Sequence, residues 1–518
     1  MVAINGAAEN RGQSEPGSFL AKNSPASAHS GIKLQAMKIL MISSEGWPLA
    51  RSGALADVLV ALPRELKARG HEMALAMPYY REIRQNKKIE TRPLRVSLEI
   101  PLGEKRLTAD LLEGRTPEDL QIFFVRCDEL YDRSGVYLEK GAPYPDNAAR
   151  FIFFSKAAVE IARRMTPTPE ILHCHDWTAA LVPVLVRNQG LPFATVLSIH
   201  HLAEQGNFDP WDFALTNLPG RYFEPTGLEF FGRLNLLKAG ILFADRIVTS
   251  SEPYAHEIQT PSLGEGLDVV LREHAYRLVG IPGGADYRRW NPATDRLLPV
   301  RYGPDQPELK ATSRNALLDQ LRLAPAPRGP VFGMVTRTIG AKGFDILMPV
   351  LDRLLADDVR LIILGKGDPA YETALAIAAR KYPTRLAYRH QYDEALAHLI
   401  EGGSDLALIP SRVEPGAFSA MHSLKYGVLP IARALRGVEQ IIVDYDPSTD
   451  SGYGFLFYEY GSEPLWDAIK RAKEIFAERA AWERLMQRAM ACDFSWALAA
   501  ERYEELYGSL IAHRSAAA

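Results

Sequence analysis

Cysteine is scarce: Cys127, Cys174 and Cys492 are the only three in 518 residues, and they lie far apart. That spacing fits neither a disulfide framework nor a zinc knuckle, and a reducing cytoplasm is the expected setting. Long hydrophobic runs are missing, since none approaches the roughly 18 apolar residues that cross a bilayer. Charge of one sign is missing too. The net charge is −3, so no bulk field recruits nucleic acid or an anionic membrane. Residues 1–36 are rich in Gly, Ala, Ser and Asn and lack the apolar h-region of a signal peptide. They read as a disordered tail, with Met37 as an alternative start.

What is present is a chain too long for one core, so two or three domains are expected. Its 47% apolar and 24% charged content places it among ordinary soluble globular proteins. Lys38–Ile42 is a buried strand followed by a turn-rich loop and a helical face through Leu55, Val58, Leu59, Leu62 and Leu66 that stops at Gly70. Strands follow at 72–77, 95–100, 107–112, 121–127, 171–175, 193–200 and 246–250, with helices at 147–165, 178–188 and 228–243. The segment 282–305, rich in Gly, Pro and Asp, reads as a connection. The alternation restarts at Val331, with strands at 331–336, 360–364, 385–388, 406–410, 428–432 and 454–457 and closing helices at 467–489 and 495–512. The expected fold class is α/β, two Rossmann-like domains facing a central cleft. The expected boundaries are 37–283, 284–490, and a last helix in 491–518 that crosses back to the first domain.

Loops at strand ends carry the candidate chemistry. SDLALIPSRVEPGAFSAMHSLKYG, residues 404–427, reads strand, polar turn, helix, which sets Glu414 beside a helix start that offers unpaired N–H groups to an anion. Alone, Glu414 reads as a surface carboxylate. Arg337 and Lys342 in RTIGAKG suit a diphosphate, the first as a fork and the second as a point charge. Gly365 and Gly367 add a glycine turn after another strand of the same sheet. Together these imply a nucleotide diphosphate site on the second domain. In the first domain, Arg51, Gly53 and Asp57 follow the first strand, and small residues there let a backbone approach a ligand. His173 and His175 are likelier structural than metal-binding without further clustered ligands. His200 ends a strand, where a substrate contact and a satisfied core histidine are both open readings.

The loop 51–56, RSGALA, lacks the G-x-G-x-x-G of a dinucleotide site, which argues against an NAD-dependent dehydrogenase. A periplasmic binding protein would need an export signal. Instead, from Met37 to about Ala512 the chain resembles bacterial glycogen synthases and plant starch synthases. ISSEGWPLARSGALADV resembles the family's K-x-G-G-L-A-D-V segment, HCHDWTAAL its H-D-W-H-A-G, and SIHHLAEQGNF its I-H-N-L-A-Y-Q-G. GADYRRWNPATD resembles N-G-I-D-x-x-x-W-N-P, TRTIGAKGFD resembles S-R-L-x-x-Q-K-G, and SRVEPGAFSAMHSLKYG resembles S-R-x-E-P-C-G-L-T-Q-x-x-A-M-x-Y-G.

The resemblance implies a GT-B fold and a retaining glucosyltransferase that takes ADP-glucose as donor and glycogen or another α-1,4-glucan as acceptor, without metal or cofactor. It implies that Arg337 and Lys342 hold the donor phosphates. Glu414 would bind glucose hydroxyls, the backbone at Phe418 and Ser419 would meet the diphosphate, and Tyr392 would lie near the adenine. Asp57 would support the donor, His200 would sit beside the transferring sugar, and Arg51 would occupy the place of a family lysine.

Departures from the family pattern cluster around this site. Arg51 replaces Lys, Ala54 replaces Gly, Thr178 replaces His, and His201 and Gly283 each replace Asn. Gly416-Ala417 stands for Cys-Gly, and Leu435-Arg436-Gly437 for Thr-Gly-Gly. Phosphate-side residues are mostly kept, while sugar-side residues are more often changed. The alternatives to an ordinary glycogen synthase are a transferase with another donor or acceptor, and a weakly active glucan-binding scaffold or regulator.

Overall fold

The computed structural model describes residues 35–517 except 47, 51–54, 87–88, 117, 140, 327 and 415. Residues 37–518 form one compact unit with two hydrophobic cores. The first gathers residues from Met37 to Ile281 together with Trp496, Tyr503, Tyr507 and Leu510 of the last helix. The second runs from Ala285 to Met490.

The first core surrounds a sheet that, among the described residues, runs Leu278–Gly280, Arg246–Thr249, Ala194–Ile199, Ile171–His175, Lys38–Ile42, Glu72–Pro78, Gln121–Arg126, Lys105–Arg115, Thr91–Leu102. It is parallel as far as Gln121–Arg126, and its last two strands join antiparallel. The central strands are uninterrupted apolar runs because helices cover both faces. The second sheet is parallel throughout, ordered Leu386–Arg389, Arg360–Leu364, Val331–Val335, Leu406–Ile409, Leu429–Arg433, Phe455–Phe457. In such sheets the loops at the carboxyl ends of the strands make the ligand crevice.

Three expected helices are divided or shortened. The stretch 178–188 becomes Asp176–Ala179 and Val182–Asn188, because Pro183 has no N–H to continue the ladder. The stretch 228–243 starts as a hairpin, Glu229–Phe230 against Arg233–Asn235. Phe231 and Gly232 turn it at positive φ, and the Asn235 side chain then caps the helix Leu236–Phe243 by accepting the Lys238 N–H at 2.7 Å. The stretch 467–489 belongs to two helices, Ser462–Ala477 and Arg479–Ala491.

The last helix, Trp496–Ala517, packs on the first core. Its Tyr507 hydroxyl meets Nδ1 of buried His173 at 2.8 Å, and Glu504 accepts from Arg69 at 3.1 Å. Among the described residues no helix is long and apolar enough to cross a membrane.

The helix Phe418–Lys425 begins after a left-handed residue, Ala417 at φ 46° and ψ 29°, which is buried. A side chain costs about 1–2 kcal/mol in that conformation. Ala417→Gly should therefore raise the unfolding free energy by about 0.5 kcal/mol or more, after glycine's larger unfolded-chain entropy is subtracted. Denaturant titration reads this, and a fall in stability would mean that the lost methyl contact outweighs the relieved strain.

Candidate functional site

Three loops of the second sheet converge. Gly343 makes the first approach possible: at φ +84° its absent Cβ would lie 2.1 Å from the Pro410 carbonyl oxygen. The loop carrying Lys342 therefore lies against the end of the strand Leu406–Ile409, where the Arg412 N–H donates to the Ala341 carbonyl at 2.9 Å. Gly365, at φ +149°, would place a Cβ 1.8 Å from the Thr336 carbonyl. Its loop docks on the Arg337 loop through Thr338 N–H to Lys366 O at 3.2 Å and Asp368 N–H to Thr338 O at 2.9 Å.

The outcome is a small cavity whose lining includes Lys342, Ser411, Glu414, Ser419 and Ser423. Lys342 Nζ donates to Glu414 Oε2 at 2.6 Å, and the Ser411 hydroxyl donates to the same oxygen at 2.8 Å. Ser419 lies in the first turn of the helix Phe418–Lys425, whose free N–H groups carry partial positive charge. The site thus brings one cation and one carboxylate to the start of a helix. Arg337 is half exposed and reaches out of the second domain to Glu204 of the first at 3.7 Å. Tyr392 is exposed, in the turn before the helix Glu394–Gly403.

On the first-domain side His200 lines a second small cavity with Val58, Gly283, Phe418 and Trp496. Its backbone N–H donates to Asp176 Oδ1 at 2.8 Å, and its ring stacks at 17° on His175 with a 3.1 Å ring nitrogen contact. Asp57 turns to the second domain, where its Oδ1 accepts Arg289 Nη1 at 2.7 Å. Thr178, one of the departures, donates to Ser44 at 3.0 Å. Ser44 meets the Tyr137 hydroxyl at 2.6 Å, and that hydroxyl donates to Glu45 at 2.7 Å. Arg51, Gly53 and Ala54, like the tail through residue 34, lie outside the described residues.

Sequence reasoning missed the residues that join the two halves. Arg289 bridges Asp57 and Glu394, and Arg64 grips Asp286 with both terminal nitrogens at 3.1 and 2.8 Å. Ser411 and Glu204 sit inside stretches that the motifs cover, so they were visible but carried no signal of their own. Among the described residues no group of three or more His, Cys, Asp or Glu side chains is placed to hold a metal ion.

Burial holds the histidines neutral. His173 is depressed to about 3 by desolvation and then by His200. His200 is depressed to about 4 by desolvation, and His175 is lowered by burial and by both neighbours. Unfolded imidazoles bind protons near pH 6.5 that these folded ones refuse. Their contribution to stability is therefore complete above about pH 6.5 and is lost as pH falls through the folded values. Buried Glu401, raised to about 7 by desolvation, works in the opposite sense, so the test is a difference: from pH 6.5 to pH 4, His173→Gln should lose less unfolding free energy than wild type, and an equal loss in the two proteins would reassign the acid lability to other groups.

The starch synthase catalytic domain profile matches residues 38–273, and the profile of glycosyl transferases group 1 matches residues 322–485. A glycogen synthase of Koribacter versatilis is 38% identical over 91% of this chain and 98% of its own length. One of Opitutus terrae is 40% identical over 91% and 99%. Among solved structures, the catalytic domain of Starch Synthase IV from Arabidopsis thaliana bound to ADP and acarbose superposes with a TM-score of 0.87 at 28% identity, covering 92% of this chain and 100% of that one. Sucrose-phosphate synthase from Thermosynechococcus elongatus, at 18% identity, a TM-score of 0.59 and the same coverage, shares the fold. Two Rossmann-like domains of GT-B type, matched along nearly their whole length by curated glycogen synthases, make this chain a member of the glycogen and starch synthase family.

Proposed function

We propose that the protein transfers glucose from ADP-glucose to the non-reducing end of an α-1,4-glucan with retention at the anomeric carbon. The observation that carries this reading is the pairing of Lys342 with Glu414 at 2.6 Å beside the N-terminus of the helix Phe418–Lys425. A donor diphosphate can take Lys342 over from Glu414 and leave that carboxylate free for sugar hydroxyls. The solved Arabidopsis relative holds ADP and acarbose, a nucleotide diphosphate and a glucan-like sugar, and that supports the same two ligand classes here.

In this mechanism Arg337 exchanges its exposed contact with Glu204 for the diphosphate. An exposed pair of that kind contributes about 0–1 kcal/mol, so it opposes the exchange only weakly. Arg337, Lys342 and the amides at Phe418 and Ser419 stabilise the charge that develops as the bond from C1 to the diphosphate oxygen breaks. The electron pair leaves with ADP, and the acceptor 4-hydroxyl attacks from the same face through an oxocarbenium-like state, passing its proton to the departing diphosphate oxygen. His200 lies beside the sugar, and Tyr392 near the adenine. Charge neutralisation by side chains supplies what a metal would otherwise supply.

Purified protein supplied with glycogen should lengthen the glucan and release ADP from ADP-glucose, and do so less well with UDP-glucose. Failure with both donors, alongside measurable ADP or glucan binding, would replace this reading with a non-catalytic paralogue. Lys342→Ala should lower kcat about 100-fold or more, as loss of a donor to developing charge does. Glu414→Gln should impair transfer less, since it keeps a polar group in place. A Lys342→Ala enzyme with wild-type turnover would remove the lysine from the phosphate role.

A further inference from the structure

The ring of Phe418 stands between two glycines from distant parts of the chain. A Cβ built on Gly283 would lie 2.6 Å from its Cε1 and 2.7 Å from its Cζ. One built on Gly416 would lie 2.5 Å from Cε2 and 3.0 Å from Cδ2. Gly283 approaches the Cε1 side of the ring and Gly416 the Cε2 side, and Cζ lies near both, at 2.7 and 3.1 Å. Trp496 closes a third side: its ring runs nearly parallel to that of Phe418, at 17° and 6.3 Å between centroids. It would itself touch the Gly283 Cβ at 3.3 Å.

This ring belongs to both halves of the molecule. Phe418 is partly buried and packs against the first core and the second. It is the first residue of the helix whose next residue, Ser419, lines the Lys342 and Glu414 cavity. On its other side it walls the cavity that holds His200.

We infer that Phe418 is a positioning residue that seats the N-terminus of the helix Phe418–Lys425 against the first domain, and that positions 283 and 416 are glycine because the ring fills the space of their side chains. The effect on substrate rests on the reading that this helix start meets the donor diphosphate, while the steric coupling does not depend on that reading.

A double-mutant cycle tests it with wild type, Phe418→Leu, Gly283→Asn and the two combined, each read by melting temperature and by KM and kcat for ADP-glucose and glycogen. Gly283→Asn should lower the melting temperature and raise KM for ADP-glucose about tenfold, with KM for glycogen little changed, because overpacking displaces the ring. The combined variant should melt above Gly283→Asn and recover the donor KM to within about threefold, the sign of a direct interaction. A combined variant that melts no higher than Gly283→Asn overturns the coupling. So does a Gly283→Asn protein indistinguishable from wild type. Should Gly283→Asn fail to fold, a combined variant that folds supports the coupling, and one that also fails overturns it. If Phe418→Leu lowers the melting temperature but leaves the donor KM unchanged, the ring is packing and not positioning. A wild-type protein inactive on ADP-glucose counts against the proposed activity alone; melting temperatures still read the coupling, and ADP dissociation constants take the place of KM.

Discussion

The chain crosses between its two cores twice, and the two crossings lie side by side. The outgoing segment donates from the Ala285 N–H to the Phe494 carbonyl of the returning one at 2.7 Å, and the Phe494 N–H donates to the Tyr287 hydroxyl at 2.9 Å. Gly284 permits this approach, for a Cβ there would lie 2.6 Å from the Trp496 backbone nitrogen. Arg64 with Asp286, and Arg289 between Asp57 and Glu394, add half-buried ion pairs around the same crossing. Loops at the ends of two separate sheets can form one site only if the sheets are fixed relative to each other, and these contacts fix them. The returning helix then completes the first core instead of the second.

Electrostatics within the cleft follows from that frame. Lys342 and Glu414 are largely shielded from water, where an unpaired charge is costly, so each satisfies the other. On the proposed reading, a diphosphate, with more negative charge than one carboxylate, would displace it. The neutral histidines opposite place no competing cation near the anion. In the proposed reading Lys342 is the cation offered to the donor, and the histidines around His200 add none of their own.

The sheets were legible because buried parallel strands are unbroken apolar runs, as in Leu406–Ile409 or Arg360–Leu364. The helix expected at 228–243 was misjudged because its apolar spacing suits either a helix or a hairpin. Phe231 and Gly232 decide the matter through backbone conformation, not hydrophobicity. Arg337, Lys342 and Glu414 were legible from motif and strand-end position. Arg64, Arg289 and Trp496 were not, since their partners lie hundreds of positions away and nothing local marks a cross-domain contact.

Departures from a family pattern, counted one by one, overstate how far this chain has moved. Gly283 and Gly416 each look like a lost side chain at a site, yet in each case the Phe418 ring lies where a Cβ would point. Thr178 is similarly absorbed, into a hydrogen-bonded chain that ends on Glu45. Ala417 is not: it keeps a left-handed backbone that its methyl disfavours, and no neighbouring change relieves it. A strained residue at the start of a helix persists only where the surrounding structure holds it. Beside it the Phe418 ring lies against Gly283, Gly416 and Trp496, contacts that limit how far the start of this helix can shift.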